Sequence, residues 1–147
     1  MLFEPEAHEV LTDETWSAET VRTAIASIVA DAESAFDDGW PTHPQDIVVD
    51  DDASTRFRTV YLGGAGVVDA LRRLARRGFV ELGRDYVPYL ERSLDGPPDF
   101  PDEDAERSLW NGETGIRLVL QRLAPTQANL ERLSELIAAN EQDERWN

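Results

Sequence analysis

The motif Gly-x-x-Gly occurs twice in this chain, at Gly63/Gly66 and at Gly112/Gly115, with the same 49-residue offset for both glycines. The surroundings match as well. Val60-Tyr61-Leu62-Gly63-Gly64-Ala65-Gly66-Val67 aligns without gaps over Leu109-Trp110-Asn111-Gly112-Glu113-Thr114-Gly115-Ile116, and Leu71, Arg73, Leu74 and Ala75 fall over Leu120, Arg122, Leu123 and Ala124. Each copy leads into an amphipathic helix, and a second helix follows each. A fixed period near 50 residues with two helices per unit is the pattern of a helical solenoid or toroid. The first glycine of each pair is expected to take a positive φ for a sharp turn. The second is expected to let a helix N-terminus approach a neighbouring backbone with no Cβ in the way. The aromatic before each turn, Tyr61 or Trp110, is expected to seal the top of the core between the helices.

Hydrophobic periodicity supports an all-α chain. A first helix is expected within 17–37, with Ser17 as its cap and Val21, Ile25, Ile28, Val29, Ala32 and Phe36 on one stripe. Residues 40–55 read as a connector, broken by Pro41, Pro44 and Asp50-Asp51-Asp52, with Ile47-Val48-Val49 as a short extended piece. A second helix should begin within 64–67 and run to Arg77. Val67, Leu71, Leu74 and Ala75 share its face, Arg72, Arg73, Arg76 and Arg77 suit the dipole at its C-terminal end, and Gly78 is its left-handed stop.

A third helix is expected over 86–94. Asp85 would cap it, Pro88 lies in its first turn, and Tyr86, Leu90 and Leu94 line one side. After an acidic loop at 99–106, a fourth helix should span 115–124, with Ile116, Val119, Leu120 and Leu123 inward. A fifth should follow from Thr126, with Leu130, Leu133 and Ile137 on one face. The expected architecture is one domain over 1–147: the N-terminal helix, repeat one over 58–98, and repeat two over 107–141. Together these form a partial α/α toroid of about five helices.

Composition narrows the chemistry. Hydrophobic residues make up 41% of the 147, enough for a core. There is no cysteine, so disulfides, thiolate metal sites and a cysteine nucleophile are excluded in this chain. The net charge is −16, and all 14 basic residues are arginine. A field of that sign repels phosphate backbones and anionic lipid, so nucleic acid and membrane are not expected partners. A GC-rich genome or a salt-adapted host would produce the same bias. No apolar run approaches the ~20 residues of a membrane span, and Met1-Leu2-Phe3-Glu4-Pro5-Glu6 does not read as a signal peptide. A cytoplasmic location is the expectation.

The two glycine turns carry a family resemblance. Tyr61-Leu62-Gly63-Gly64-Ala65-Gly66 resembles the lead-in to the first inner helix of the lanthionine synthetase C-like proteins, and Leu109-Trp110-Asn111-Gly112-Glu113-Thr114-Gly115 resembles the second. Arg145-Trp146-Asn147 looks like the lead-in to a third, cut off before its glycines. The resemblance covers about 58–147 and implies a double ring of helices. It also implies zinc chemistry, in which the metal activates a peptide cysteine thiolate for addition to a dehydrated serine or threonine. Some relatives act on glutathione. The family's zinc ligands are two cysteines and a histidine from the later part of the ring. This chain has no cysteine, so no catalytic residue carries over and no cofactor is expected in it. What the resemblance implies here is a truncated scaffold, or one wall of a peptide-binding cleft.

Other constellations are weaker. His43 with Asp46 or the Asp50 run could contribute to a metal site, or be an ordinary loop residue; His8 is the other histidine. Asp50-Asp51-Asp52 lacks the glycine and closing glutamate of a calcium loop and reads as a solvated charge run, as does Asp102-Glu103-Asp104. Gly64-Ala65-Gly66 places Asp69 where a dinucleotide turn needs a small residue, and there is no lysine for a phosphate loop. No carboxylate pair is singled out for glycoside chemistry. Tyr61, Trp110 and Asn111 are the candidate binding residues, able to stack on a sugar or a peptide side chain, with a structural role as the alternative. The expected partners are a peptide, or a protein or second copy covering the open edge of the ring. A non-catalytic interaction module and a carbohydrate-active ring fragment are the alternative functions.

Overall fold

The computed structural model describes residues 15–43, 55–100 and 107–141. His8, Asp46, Ile47-Val48-Val49, Asp50-Asp51-Asp52, Asp102-Glu103-Asp104 and Arg145-Trp146-Asn147 lie outside the described residues. Among those described there are five helices and no strand: α1 (Ala18–Ser34), α2 (Gly64–Arg76), α3 (Val87–Asp95), α4 (Glu113–Leu123) and α5 (Gln127–Glu141). The described part of the chain is all-helical. No helix among the described residues is long and apolar enough to cross a membrane.

Local signals set the helix ends. The Ser17 hydroxyl accepts from the Thr20 amide at 3.2 Å, capping α1. Asp85 Oδ1 accepts from Val87 N at 2.9 Å, and Pro88 sits in the first turn of α3. Thr126 Oγ1 accepts from Asn129 N at 3.2 Å at the start of α5. Gly78, at φ 72°, stops α2. The Gly78 amide donates to Ala75 O and the Phe79 amide to Leu74 O, the paired bonds of a glycine-stopped helix.

The core lies among α1 to α4. Val29, Ala65, Val68, Leu71, Tyr86, Tyr89, Leu90, Ile116, Val119 and Leu120 are buried together. Phe36 is central to an aromatic group, edge-on to Trp40, Tyr86 and Tyr89 at 4.9 to 5.4 Å between ring centroids. The Trp40 indole donates to Ala32 O at 2.7 Å. Tyr86 donates to Glu33 at 3.2 Å; burial, and then the Glu33 carboxylate, push the Tyr86 phenol up to about 12. Helix α4 is the hub, packing on α2, α3 and α5.

Three expected faces are rotated or narrowed. In α1 only Val29 is fully buried, with Ile25, Ala32 and Phe36 half-buried, while Val21 and Ile28 are exposed. That helix docks through its C-terminal half, where Glu33 and the Trp40 indole bond tie it down. In α2 the buried apolar side chains are Ala65, Val68 and Leu71, with Val67 and Leu74 on the flank. In α5 the inward set is Asn129, Leu133 and Leu136; Leu130 and Ile137 are exposed. The cause is Asn129, which donates to Arg117 O and Gln121 Oε1 at 2.9 Å and accepts from Arg117 Nη1 at 3.1 Å. Those bonds clamp α5 onto α4 at a fixed rotation. Leu109, Leu118, Leu133 and Ile137 then line an apolar groove of about 400 Å³ along one side of α4 and α5.

Candidate functional site

The two glycine turns lie against each other. The Tyr61 amide donates to Trp110 O at 3.0 Å, so residues at matching positions of the two motifs are in direct contact. Their second glycines are used alike. A Cβ on Gly66 would collide with Val60 O, and one on Gly115 with Leu109 O, in each case the carbonyl six residues earlier. Both turns also engage the carbonyl of an arginine seven residues before a helix residue: Ala65 N donates to Arg58 O, and Thr114 Oγ1 donates to Arg107 O.

The first glycines behave differently from expectation. Gly63 (φ −119°, ψ −176°) and Gly112 (φ −140°, ψ −172°) are extended, with no positive φ. At Gly63 the requirement is space, since a Cβ would come within 2.5 Å of the backbone at Phe57, Arg58 and Thr59. The aromatics also differ from expectation. Tyr61 is 68% exposed and Trp110 59%, so neither seals the core. Each ring stands on the turn just ahead of its own helix, and the two line a shallow surface cleft with Asn111.

Asn111 also lines a second, narrower cavity of about 120 Å³ between the two turns and the C-terminal end of α3, with Arg58, Thr59, Ser93, Asp99 and Glu113 among its walls. Its charges are compensated. Asp99 Oδ2 accepts from the amides of Arg58 and Thr59 at 2.8 and 2.9 Å, and its other oxygen accepts from Arg58 Nε at 3.3 Å. The Arg58 guanidinium also donates to Ser93 O at 2.7 Å. Glu113, in the first turn of α4, pairs with Arg117 and with Arg132. Two of the residues lining this cavity have a side-chain oxygen, Thr59 Oγ1 and Asn111 Oδ1, that is buried without a hydrogen-bond partner. Such atoms carry an unmet polar demand of order 1–3 kcal/mol each.

Glu113 is a poor proton carrier. Burial acts to raise the Glu113 carboxyl, but hydrogen bonds from Arg132 and Arg117 outweigh it and hold the group below its ordinary 4.5. A carboxyl lowered on folding stabilises the fold above its unfolded pKa, and that contribution is lost as pH falls through the folded value. Glu113→Gln is therefore expected to lower the urea midpoint at pH 7. It should also flatten the decline that the native chain shows below about pH 4.5. Parallel slopes for the two proteins across that acid window would refute this role for Glu113.

Thr59, Arg58 and Asp99 were not singled out by sequence reasoning. Thr59 and Ser108 occupy matching places before the two turns, a signal that was available. Asp99 gave none, because it reaches Arg58 and Thr59 across about 40 residues. Among the described residues, no group of three or more His, Cys, Asp or Glu side chains could hold a metal ion.

The fold and site define an all-helical protein with two abutting glycine turns, an exposed aromatic pair and a charge-compensated polar cavity beside it. Family models, curated proteins and solved structures were all compared with the chain, and none matches it.

Proposed function

We propose that this chain is a non-catalytic helical peptide-binding module. In this reading it is a portion of an α/α ring of the lanthionine synthetase C-like kind, and its ligand face is the paired glycine turns. The observation that carries the proposal is the Tyr61–Trp110 pair. Two large aromatics at matching motif positions, joined by a backbone hydrogen bond, stand exposed at 68% and 59%. Paired exposed aromatics are costly in solubility and common at recognition surfaces, where they bury much area for little conformational entropy. The matched use of Gly66 and Gly115 supports two equivalent units. The apolar groove along α4 and α5 is a surface on which a further helical unit, a partner or a second copy would pack.

The ligand follows from the adjoining cavity. Its charges are already paired, so it favours a neutral polar group. Thr59 and Asn111 line it, each with a side-chain oxygen that has no partner, and a rotation of the two side chains would offer one donor and one acceptor to a peptide unit. The net charge of −16 favours a basic peptide. The residues do not fit the family's zinc: the chain has no cysteine, so no ring-closing step is assigned to it.

The test is fluorescence polarisation against a library of short unstructured peptides. Basic peptides with an apolar side chain should bind, and Tyr61→Ala/Trp110→Ala should weaken them about 30-fold or more, equivalent to about 2 kcal/mol. Because both rings are exposed, the double variant should keep its urea midpoint within about 0.5 kcal/mol of stability. Unchanged affinity in the double variant would sink the proposal. Saturable glycan binding with no peptide binding would replace it with a carbohydrate reading.

A further inference from the structure

The arginines of this chain are unevenly placed. Arg72, Arg73, Arg76, Arg77 and Arg122, five of the 14, line one concavity of about 380 Å³ where the C-terminal ends of α2 and α4 meet. It lies at the opposite end of α2 from Tyr61, so it is separate from the peptide face. Asp69 braces it, accepting from Arg72 Nη2 at 3.0 Å, Arg73 Nε at 2.6 Å and Arg122 Nη1 at 3.4 Å. Burial works against its charge, but the bonds from Arg73 and Arg72 prevail and keep Asp69 ionised at neutral pH. Arg76 and Arg77 are exposed, and neither side chain pairs with a carboxylate among the described residues. Arg72 is only 7% exposed, and its Nη1 is buried with no acceptor.

The helix dipole alone does not account for this. It favours cations in the last turn of α2. It does not explain why Arg122 is brought over from α4, or why a buried guanidinium nitrogen is left without an acceptor. Arg72 and Arg76 are a like-charged pair four apart on α2, with Arg77 at its C-cap adding a further like charge, a destabilising arrangement. In a chain with 30 acidic residues, one carboxylate, Asp69, is hydrogen-bonded to this cluster among the described residues.

We propose that the cluster binds a compact phosphate-bearing anion, such as pyrophosphate or a small phosphate monoester. Planar guanidinium forks match tetrahedral oxyanions through paired N–H donors, and Asp69 holds three of them in place beforehand. Compactness follows from the rest of the molecule. A small anion seated in the cluster is screened from distant carboxylates beyond a Debye length of about 8 Å at physiological salt. A long polyanion would meet the field of a chain with net charge −16.

The test is isothermal titration of the full chain with inorganic pyrophosphate, with glycerol 3-phosphate as the monoester and citrate as a carboxylate of similar charge. Saturable 1:1 binding of pyrophosphate or the monoester is expected, and whichever is tighter identifies the source. Arg76→Gln/Arg77→Gln, both exposed and so compatible with folding, should weaken it about tenfold or more. Arg22→Gln, exposed on α1, should leave it unchanged. The proposal is overturned by no saturable binding up to about 10 mM, by equal affinity in the double variant, or by citrate binding as tightly as pyrophosphate.

Discussion

Alanine at Gly66 or at Gly115 is expected to destabilise the fold by about 3 kcal/mol or more at either site, the upper range for forcing atoms into a packed region. The added Cβ would meet backbone in both cases: Val60 O at Gly66 and Leu109 O at Gly115. A carbonyl of the chain itself cannot swing aside as a side-chain tip can. The helix start or the preceding turn must move, and with it the Tyr61–Trp110 backbone bond. Gly115 should be the worse of the two, because its Cβ would also press on Val60 Cγ2 at 2.7 Å. Gly78→Ala is the internal comparison. Its φ is 72° and nothing lies within 4 Å of the new methyl, so only the left-handed backbone penalty of about 1 kcal/mol applies. Urea unfolding of the three variants separates the steric cause from the conformational one. A cost below that of Gly78→Ala at both Gly66 and Gly115 would refute the close-approach account.

Removing the Asp99 carboxylate is the second large effect. One buried side chain, 4% exposed, accepts two backbone amides and an arginine side chain, and so holds the first glycine turn against the end of α3. Asp99→Ala strands the amides of Arg58 and Thr59 and leaves the Arg58 guanidinium without its counter-ion. The expected loss is about 3 kcal/mol, the usual cost of breaking a buried pair by removing one partner. Asp99→Asn should lose less, since its carbonyl can still accept the two amides. Hydrogen exchange is the informative readout, because the Arg58 and Thr59 amides should lose protection before the helices do. Retained protection of both amides in Asp99→Ala would show that Asp99 does not hold this turn.

The candidate site was legible in part. Its composition could be read from Tyr61, Trp110 and Asn111, because a motif that recurs at a fixed offset marks positions of shared environment. What that environment is could not be read from it. The rings were expected at the top of a core, and both face solvent, each on the turn just ahead of its own helix. Gly63 illustrates the same limit: glycine was expected for its φ, and space is the reason for it. For α5, a plain 3.6-residue stripe pointed to Leu130 and Ile137. One buried amide, Asn129, overrode it by docking to α4.

The helices, their caps at Ser17 and Thr126, the Asp85 bond just ahead of the α3 cap, and the stop at Gly78 were determined by the sequence itself. Each is a contest among backbone groups within one or two turns, settled by residues three to five apart. Tertiary structure alone decided that Arg72 is buried beside four other arginines, that Asp99 serves a turn some 40 residues earlier in the chain, and that two glycine turns 49 residues apart sit side by side with their aromatics outward. Burial and charge pairing depend on which distant segments share a surface. That is set by how the helices pack around α4, and no local pattern encodes it.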